Sequence, residues 1–443
     1  MKKIILFIVI AFLVIAALGI IPYWTGIEAE KRFTKITPKI YSAADLKLLD
    51  TSYQRGWFGS EAQSIFEMPP QFSSNTSDQQ RLTVLHKIDH GFLPITDALI
   101  ETTLYTGTEN ETASTSVQQQ SAILTVRTVV QTNGDSVSTL EVPALALKDD
   151  NAHLQWQGLQ GKVYTKQHLT DVQTEIQTPQ IQLETDEGRI VVQNAQLQLS
   201  MQPRDNFKQS IASLSIADLL LAGKQTPPVQ LEGIQLEGNN NIVSNKLMLM
   251  LKTGLHRAQV GTEHYGPSFG DFEFLNWHLP TLARLQNTWV KTQNQGVPPK
   301  MAMLGLAPDG MALLDHLPEL AMTRLNLNMP EGVVRGHLRV KMAPFEGGLL
   351  AALFNPQLLI NAFWAQLEMN IPQVLLHKLT EEASPEVATA PKTIGQQLKI
   401  LVEKGILIPA EDNKDYYRSQ IHLEGGILQV NGQQRPLTDI FPD

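Results

Sequence analysis

A serine between two glycines is the first group in this sequence that could do chemistry. Residues 266–270 read Gly-Pro-Ser-Phe-Gly, the Gly-x-Ser-x-Gly spacing of a hydrolase nucleophile elbow, in which a strand precedes the serine and a helix follows it. Residues 271–277 instead alternate polar and apolar side chains, as a strand does. We therefore interpret Ser268 as part of a turn that opens a strand.

A pair of histidines around an aspartate is the second candidate. His86 and His90 lie four residues apart with Asp89 between them, and on a helix they would share one face and could bind a metal ion or transfer a proton. Residues 82–88 alternate like a strand, however, and at ~3.3 Å per residue the two rings would lie about 13 Å apart. We favour structural roles here. An envelope hydrolase that uses Ser268 or this histidine group remains the alternative.

Composition excludes several kinds of chemistry. The 443-residue chain has no cysteine, which excludes disulfides, thiolate zinc sites, iron–sulfur clusters and cysteine nucleophiles. Its 35 basic and 44 acidic residues give a net charge of -9, which argues against nucleic-acid binding because phosphate neutralisation needs a basic surface. The sequence has no phosphate-binding glycine loop, dinucleotide fingerprint or two-histidine zinc motif. We therefore predict no cofactor and no metal, and we assign no catalytic residue.

The first 25 residues predict a transmembrane signal anchor. Residues 4–23 carry no charge and follow Lys2 and Lys3, and a helix of this length matches the ~30 Å hydrocarbon core of a bilayer. Small residues at 17–19 would suit a cleaved signal peptide, which is the alternative. Because the apolar run continues beyond them, we favour an uncleaved anchor.

Two signals conflict on the orientation of this anchor. More basic residues follow the segment, within 31–39, than precede it, and a positive-inside count would therefore place the body in the cytoplasm. A short basic stretch ahead of an apolar run is, in contrast, the usual export signal. We favour export of the body, and a cytoplasm-facing anchored adaptor is the alternative.

Beyond the anchor, the dominant pattern alternates with a period of two. Residues 180–184 and 195–201 alternate aliphatic side chains with glutamine and other polar residues, as strands with one dry and one wet face do. The phase shifts at Gly233, which indicates a bulge or a tight turn. Turn residues at 330–332 and 424–426 predict hairpins between alternating segments.

Helices are expected mainly in the second half of the chain. A period of 3.6 residues fits five segments, residues 281–292, 311–320, 349–364 (which Pro356 divides into two short helices), 372–382 and 393–404. The predicted fold class is α+β, mainly β: a long antiparallel curved sheet with helical insertions, preceded by one transmembrane helix. The predicted domains are the anchor at 1–25, a β-rich region at 26–270, strands with a helical insertion at 271–392, and a closing helix and hairpin at 393–443.

Three short motifs, taken in order, resemble a known family. The first reads Tyr-Gln-Arg-Gly-Trp-Phe-Gly-Ser at 53–60, the second reads Asp-His-Gly-Phe-Leu-Pro at 89–94, and the third combines a strand, a double-glycine turn and Val-Asn-Gly-Gln within 417–437. Behind a membrane anchor, this order resembles the YdgA-like family of Gram-negative envelope proteins, a domain of unknown function. Phe92 departs from the pattern, since the family more often has proline there. The resemblance implies an inner-membrane anchor with the body in the periplasm, and it supplies no catalytic residue.

The motif residues have architectural interpretations. Arg55 could bridge backbone carbonyls at a strand bend, and His90 with Gly91 could end a strand through an imidazole hydrogen bond and a positive φ. The motif residues to which we assign structural roles are Tyr53, Arg55, Gly56, Phe58, Asp89, His90, Gly91, Pro94, Gly425, Gly426, Asn431 and Gly432.

The anchor, the strands and the motifs together predict the class of protein, but they do not indicate any reaction that it would catalyse. We expect a single-pass inner-membrane protein, held through residues 4–23, that is not an enzyme and that binds or scaffolds an envelope protein or lipid. In a sharper version, the strands form a curved sheet with an apolar groove for a lipid or an extended peptide.

Overall fold

The structure, a computed structural model, describes residues 47–55, 59–67, 80–89, 98–108, 122–131, 133–149, 152–166, 171–204, 207–224, 226–294, 299–343, 356–381, 394–411 and 413–436. Antiparallel strands form most of these residues, and the helices among them lie in the second half of the chain. The prediction of a mainly β antiparallel protein with helical insertions is confirmed. The predicted anchor, residues 4–23, lies outside the described residues, and among those described no helix is long and apolar enough to cross a membrane.

The chain divides into two compact units. The first comprises Met1–Pro203 with Ala212–Gln230, and the second comprises Arg204–Ile211 with Leu231–Asp443. Each unit has its own strands and its own buried side chains, as described below. The domain boundaries expected after residues 25, 270 and 392 stay a prediction.

The first unit contains β strands that pair antiparallel with their neighbours. These strands are β1 (Lys47–Arg55), β2 (Gly59–Glu67), β3 (Gln80–Asp89), β4 (Ala98–Thr108), β5 (Leu124–Val130), β6 (Ser136–Val142), β7 (Leu145–Asp149), β8 (Ala152–Trp156), β9 (Leu159–Thr165), β10 (Val172–Thr185), β11 (Gly188–Arg204) and β12 (Phe207–Gly223), of which β11 and β12 each have residues assigned to both units. The pairing order is β1–β2–β3–β4–β5–β6–β9–β10–β11. Strands β7 and β8 form a hairpin, and β8 also pairs with the second half of β10. Within the described residues β1 pairs with β2 alone, so this ladder is not closed.

Strand side chains form the core of the first unit. Alternate residues are buried along β9, as a period of two requires of a strand with one dry face. The cluster contains Phe66, Leu82, Val84, Leu104, Leu124, Val126, Leu140, Val142, Trp156, Leu159, Val163 and Val172. The Trp156 indole N–H donates a hydrogen bond of 2.8 Å to Thr178 Oγ1, so the largest side chain of the cluster also satisfies its polar group.

The second unit combines strands with short helices. Its strands are β13 (Val229–Val243, of which the first two residues are assigned to the first unit), β14 (Lys246–Val260), β15 (Glu263–Tyr265), β16 (Ser268–His278), β17 (Glu319–Met329), β18 (Gly332–Met342), β19 (Phe363–Pro372), β20 (Ile408–Pro409), β21 (Tyr416–Glu424), β22 (Ile427–Val430) and β23 (Gln433–Arg435). Its described helices are α1 (Leu279–Asn294), α2 (Pro299–Leu314), α3 (Pro356–Ala362), α4 (Gln373–Glu381) and α5 (Ile394–Glu403). The pairing order is β14–β16–β17–β18–β19–β21–β22–β23, with β15 on β14 and β20 on β21.

Two predicted helices differ from the structure. Residues 311–320 were expected to be helical, but α2 ends at Leu314 and β17 begins at Glu319. The sequence pattern concealed the first part of α2 because Pro308 and two glycines interrupt it. The helix predicted at 349–364 extends two residues too far, because β19 begins at Phe363 directly after α3. The first part of this prediction, residues 349–355, lies outside the described residues.

Glycine turns close the predicted hairpins. Gly425 and Gly426 have φ of 56° and 77°, and two successive positive φ angles give the tight turn whose twist suits an antiparallel hairpin. Gly233 has φ 63°, and a Cβ there would come within 2.8 Å of the His256 Cβ. The phase shift predicted at Gly233 therefore marks a position that only glycine fits without strain.

Candidate functional site

A groove of about 600 Å³ lies on the first unit among residues of β4, β5, β6, β9, β10 and β11. Long polar side chains dominate its lining, both charged residues and glutamines. These polar groove residues are Glu101, Arg127, Glu141, Lys162, Glu175, Gln160, Gln177, Gln196 and Gln198. We call this feature the polar groove. Its volume falls within the ~300–1,000 Å³ usual for sites that bind small molecules.

Strand register arranges these side chains in two rows across the sheet. One row runs from β4 to β11 through directly opposed residues, Glu101, Arg127, Thr139, Lys162, Glu175 and Gln198. The neighbouring row contains Glu141, Gln160, Gln177 and Gln196. Directly opposed side chains have Cβ atoms ~5 Å apart, so the rows present a regular array of donors and acceptors.

None of these nine polar side chains forms a hydrogen bond or an ion pair with another residue that the structure describes. Elsewhere, directly opposed charges do make contact: Lys47 lies 2.7 Å from Glu67, and Arg324 lies 3.0 Å from Asp271. Glutamines outside the groove are bonded too, since Gln157 donates to Gln180 at 3.0 Å. Some opposed polar pairs of this molecule are thus satisfied by each other, whereas the polar groups of the groove are open to solvent.

The second unit has an apolar sheet face that is only partly covered. Two cross-strand rows form it, Leu251–Phe272–Met322–Leu338–Leu367 and Leu249–Phe274–Leu320–Val340–Ala365. All of these residues are half-buried, so each keeps part of its surface accessible. We call them the apolar face. Five strands at ~4.8 Å spacing make it about 19 Å wide.

Helices cover one end of the same face. Val334 and Ile371 lie on the apolar side of β18 and β19, and they are buried with Leu375 and Leu376 of α4 and Leu407 beyond α5. On the other side of the sheet, Arg339 forms an ion pair with Glu319. The apolar face is therefore a continuation, on the same side of β18 and β19, of a helix-covered core.

A charge cluster fastens α4 to the neighbouring turns. Lys378 Nζ donates to Glu263 Oε1 at 2.8 Å and to Glu331 Oε1 at 2.7 Å, and Tyr265 donates to the second oxygen of Glu263. These hydrogen bonds raise the pKa of Lys378, and those from Lys378 and Tyr265 lower the pKa of Glu263. Each charged group of the cluster has a partner of opposite charge within it, so its geometry suits a structural role.

The predicted histidine pair is not assembled as a site by the described residues. His86 lies on β3, confirming the strand, and its Nδ1 shares a hydrogen bond of 2.8 Å with Thr102 Oγ1. Burial lowers the pKa of His86 to about 4, so the ring is neutral at pH 7. Asp89 is exposed at the end of β3, whereas His90 lies outside the described residues. Within the described part of the chain, no group of three or more potential metal ligands converges.

Ser268 begins β16 rather than preceding a helix. It lies opposite Leu255 of β14 and Leu327 of β17 in the sheet. The strand that it begins is eleven residues long, whereas a nucleophile elbow requires a helix directly after the serine. The interpretation of residues 266–270 as a turn that opens a strand agrees with this geometry.

The described motif residues occupy strand ends and turns. Tyr53 packs from β1 onto the cluster of Ile88, Ala98, Ile100 and Val130, and Arg55 ends β1. Gly425 and Gly426 form the turn described above. Asn431 and Gly432 have φ of 51° and 78°, the turn between β22 and β23. The remaining motif residues, Gly56, Phe58, His90, Gly91 and Pro94, lie outside the described residues.

Asn431 has a role that the sequence pattern did not specify. Its Nδ2 donates to the carbonyls of Gly405 and Ile406 at 3.2 and 3.0 Å, and its Oδ1 accepts from the Gln420 backbone N–H at 2.9 Å. The side chain thereby ties the end of α5 to β21. Sequence reasoning had also missed the polar groove, whose residues are drawn from strands almost a hundred positions apart and share no local motif.

The fold and these surfaces define a two-unit antiparallel β protein with one open polar groove and one partly open apolar sheet face. The chain belongs to the family described as "Bacterial protein of unknown function (DUF945)", whose model matches residues 1–438. This agrees with the expected membership of a bacterial family of unknown function, although the match carries a different name from the YdgA-like resemblance. No curated protein sequence and no solved structure matches the chain.

Proposed function

We propose that this protein is a non-enzymatic binding protein of the bacterial envelope, and that its apolar face holds an acyl chain of a lipid. The observation that carries the proposal is the apolar face itself. Burying apolar surface is worth about 25 cal/mol per Å², so an acyl chain that covered the accessible part of these half-buried side chains would gain binding free energy.

The choice of a lipid rests on the chemistry of this face and on the predicted tether. Its two rows consist of aliphatic, methionine and phenylalanine side chains, and no ionised or amide group interrupts them. An extended peptide would need partners for its backbone N–H and C=O groups, which the middle of a fully paired sheet does not offer. The uncharged segment 4–23 supports the proposal further, since as an uncleaved anchor it would keep the body next to a membrane surface.

Lipid extraction and mass spectrometry of the gently purified full-length protein tests this proposal. We expect a co-purifying lipid in the wild-type protein and at least a five-fold smaller amount in the double variant Leu338→Gln, Leu367→Gln. The control, Gln366→Glu, lies on the other face of β19 next to Leu367 and should retain the lipid. Absence of lipid from the wild-type protein, or a polypeptide in its place, would overturn the acyl-chain assignment.

Two rival functions have separate tests. If the protein is an envelope hydrolase, the variants Ser268→Ala and His90→Ala should fail to complement a deletion strain. If it is a binding protein, both variants should complement fully. If the protein is a cytoplasm-facing adaptor, a reporter fused after Asp443 should be active in the cytoplasm. The binding proposal, with its exported body, predicts a reporter active on the periplasmic side of the inner membrane.

A further inference from the structure

We infer that the polar groove of the first unit binds a neutral oligosaccharide. This site is independent of the apolar face and of the lipid proposed for it. Three observations carry the inference: the groove's open polar groups, the near balance of its charges, and an exposed aromatic ring at its border.

The open polar groups come first. Nine side chains line the groove without bonding to one another, whereas glutamines further along β10 form a chain in which Gln180 donates to Gln182 at 3.4 Å and Gln182 donates to Glu184 at 3.0 Å. Glu175 and Gln177 of the groove lie on the same strand as this chain and are more exposed to solvent than its members. Aligned amides and charges that do not satisfy one another remain available to a ligand.

The balance of charge selects the class of ligand. Two basic and three acidic side chains alternate with four glutamines among the groove residues, so a strongly charged polymer would meet repulsion on part of its length. A sugar hydroxyl donates one hydrogen bond and accepts two, and planar amide, carboxylate and guanidinium groups can each bridge two neighbouring hydroxyls. A neutral polyol therefore matches the array better than a phosphate-bearing or polycationic chain.

The dimensions and the border of the groove point to an oligomer with rings. From β5 to β11 the groove crosses five strands, or about 19 Å at ~4.8 Å per strand, which exceeds one sugar ring. Tyr164 lies two residues beyond Lys162 on the same face of β9, and 40% of its surface is exposed. An exposed tyrosine at that position offers a flat surface on which the C–H face of a sugar ring can pack.

Isothermal titration of the full-length protein, in a detergent without a sugar headgroup, tests the inference. The probes are four neutral hexasaccharides: β-1,4-glucose, α-1,4-glucose, β-1,3-glucose and β-1,4-N-acetylglucosamine oligomers. We expect at least one of these sugars to bind with Kd below about 1 mM. The double variant Gln160→Ala, Gln177→Ala and the single variant Tyr164→Ala should each lose at least ten-fold in affinity.

Matched controls separate this site from the apolar face and from misfolding. Gln193→Ala alters an exposed glutamine of β11 outside the groove and should leave the affinity unchanged. The double variant Leu338→Gln, Leu367→Gln should bind the sugar normally even where lipid is lost. The inference is overturned if none of the four sugars binds, if the groove variants bind as tightly as the wild type, or if an alternating Lys-Glu peptide occupies the groove and the sugars do not.

Discussion

Lys378 Nζ of α4 lies 2.7 Å from Oε1 of Glu331, a residue in the turn between β17 and β18. Only 9% of the Glu331 side chain is exposed to solvent. The same ammonium group also contacts Glu263, the first residue of β15. One cation therefore serves two carboxylates on separate hairpins, and removing it would leave a shielded anion without its partner.

Replacing that cation should destabilise the protein. We expect Lys378→Met to lower the free energy of unfolding, and by more than the control variant does, because Glu331 would keep its desolvation cost without the compensating hydrogen bond. Urea denaturation measures the change. Lys414→Met, at an exposed turn position, is the control and should change stability by less than about 0.5 kcal/mol. Equal stability of Lys378→Met and wild type would contradict the role assigned to the cluster.

His86 should make stability depend on pH. Burial lowers the pKa of His86 from 6.5 to about 4, so between these values the unfolded chain binds more protons than the folded one. The free energy of unfolding therefore rises with pH in that window; this contribution is complete above pH 6.5 and is lost as the pH falls toward 4. We expect a loss of up to about 3 kcal/mol.

Urea denaturation at pH 7.5 and at pH 4.5 isolates this contribution. The variant His86→Asn removes the titrating ring, so its stability should change less than that of the wild type between the two pH values, whereas the exposed control His256→Gln should follow the wild type. A His86 NMR titration midpoint near 6.5 in the folded protein would show that burial does not act as described.

Two buried hydroxyls in the first unit should be energetically coupled. Thr128 and Ser138 lie directly opposite each other, are 4% and 3% exposed, and share a hydrogen bond of 2.8 Å. Thr128→Val or Ser138→Ala alone would leave the other hydroxyl buried without its partner, at a cost of about 1–3 kcal/mol. The double variant should lose less than the sum of the two single changes. Strict additivity in a double-mutant cycle, measured by urea denaturation, would disprove the coupling.

Asn431 should be sensitive to both its backbone and its side chain. Asn431→Ala removes hydrogen bonds to Gly405 and Ile406, which follow α5, and to β21, and it places alanine, which tolerates a positive φ less well than asparagine, at φ 51°, for an expected loss of about 2–4 kcal/mol. Asn431→Gly removes the same bonds but tolerates the positive φ, so its loss should be smaller by about 1 kcal/mol. Thermal and urea unfolding of the two variants distinguish these contributions. Equal losses would mean that the backbone conformation carries no cost here.

Local patterns predicted much of the fold. Alternation at 180–184 and 195–201 corresponds to β10 and β11, and the glycines at 425 and 426 close a hairpin, because a period of two and a positive φ are properties of a few neighbouring residues. The helix α2 was missed over most of its length, since Pro308 lies inside it and tertiary packing overrides the local preference.

The sites were harder to predict because they depend on register. Glu101 and Gln198 come to opposite ends of one row only after five strand pairings have been set, and nothing within a short window of sequence specifies those pairings. Ser268 and the group around His86, which an envelope hydrolase would use, illustrate the converse. Each has suitable residue types within ten positions, but extended strands keep those side chains apart.

The cross-strand row of polar residues that includes Glu101 also influences the register in which neighbouring strands pair. It continues backward from Glu101 through Lys87 to Glu61, so signs alternate across β2, β3, β4 and β5. A slip of two residues is the smallest that keeps apolar side chains in the core, and between β2 and β3 one such slip would oppose Glu61 to Asp89. Like charges directly opposite each other are destabilising. Alternating charges along this row thus favour the observed register of β2 and β3 over a pairing that is displaced by two residues.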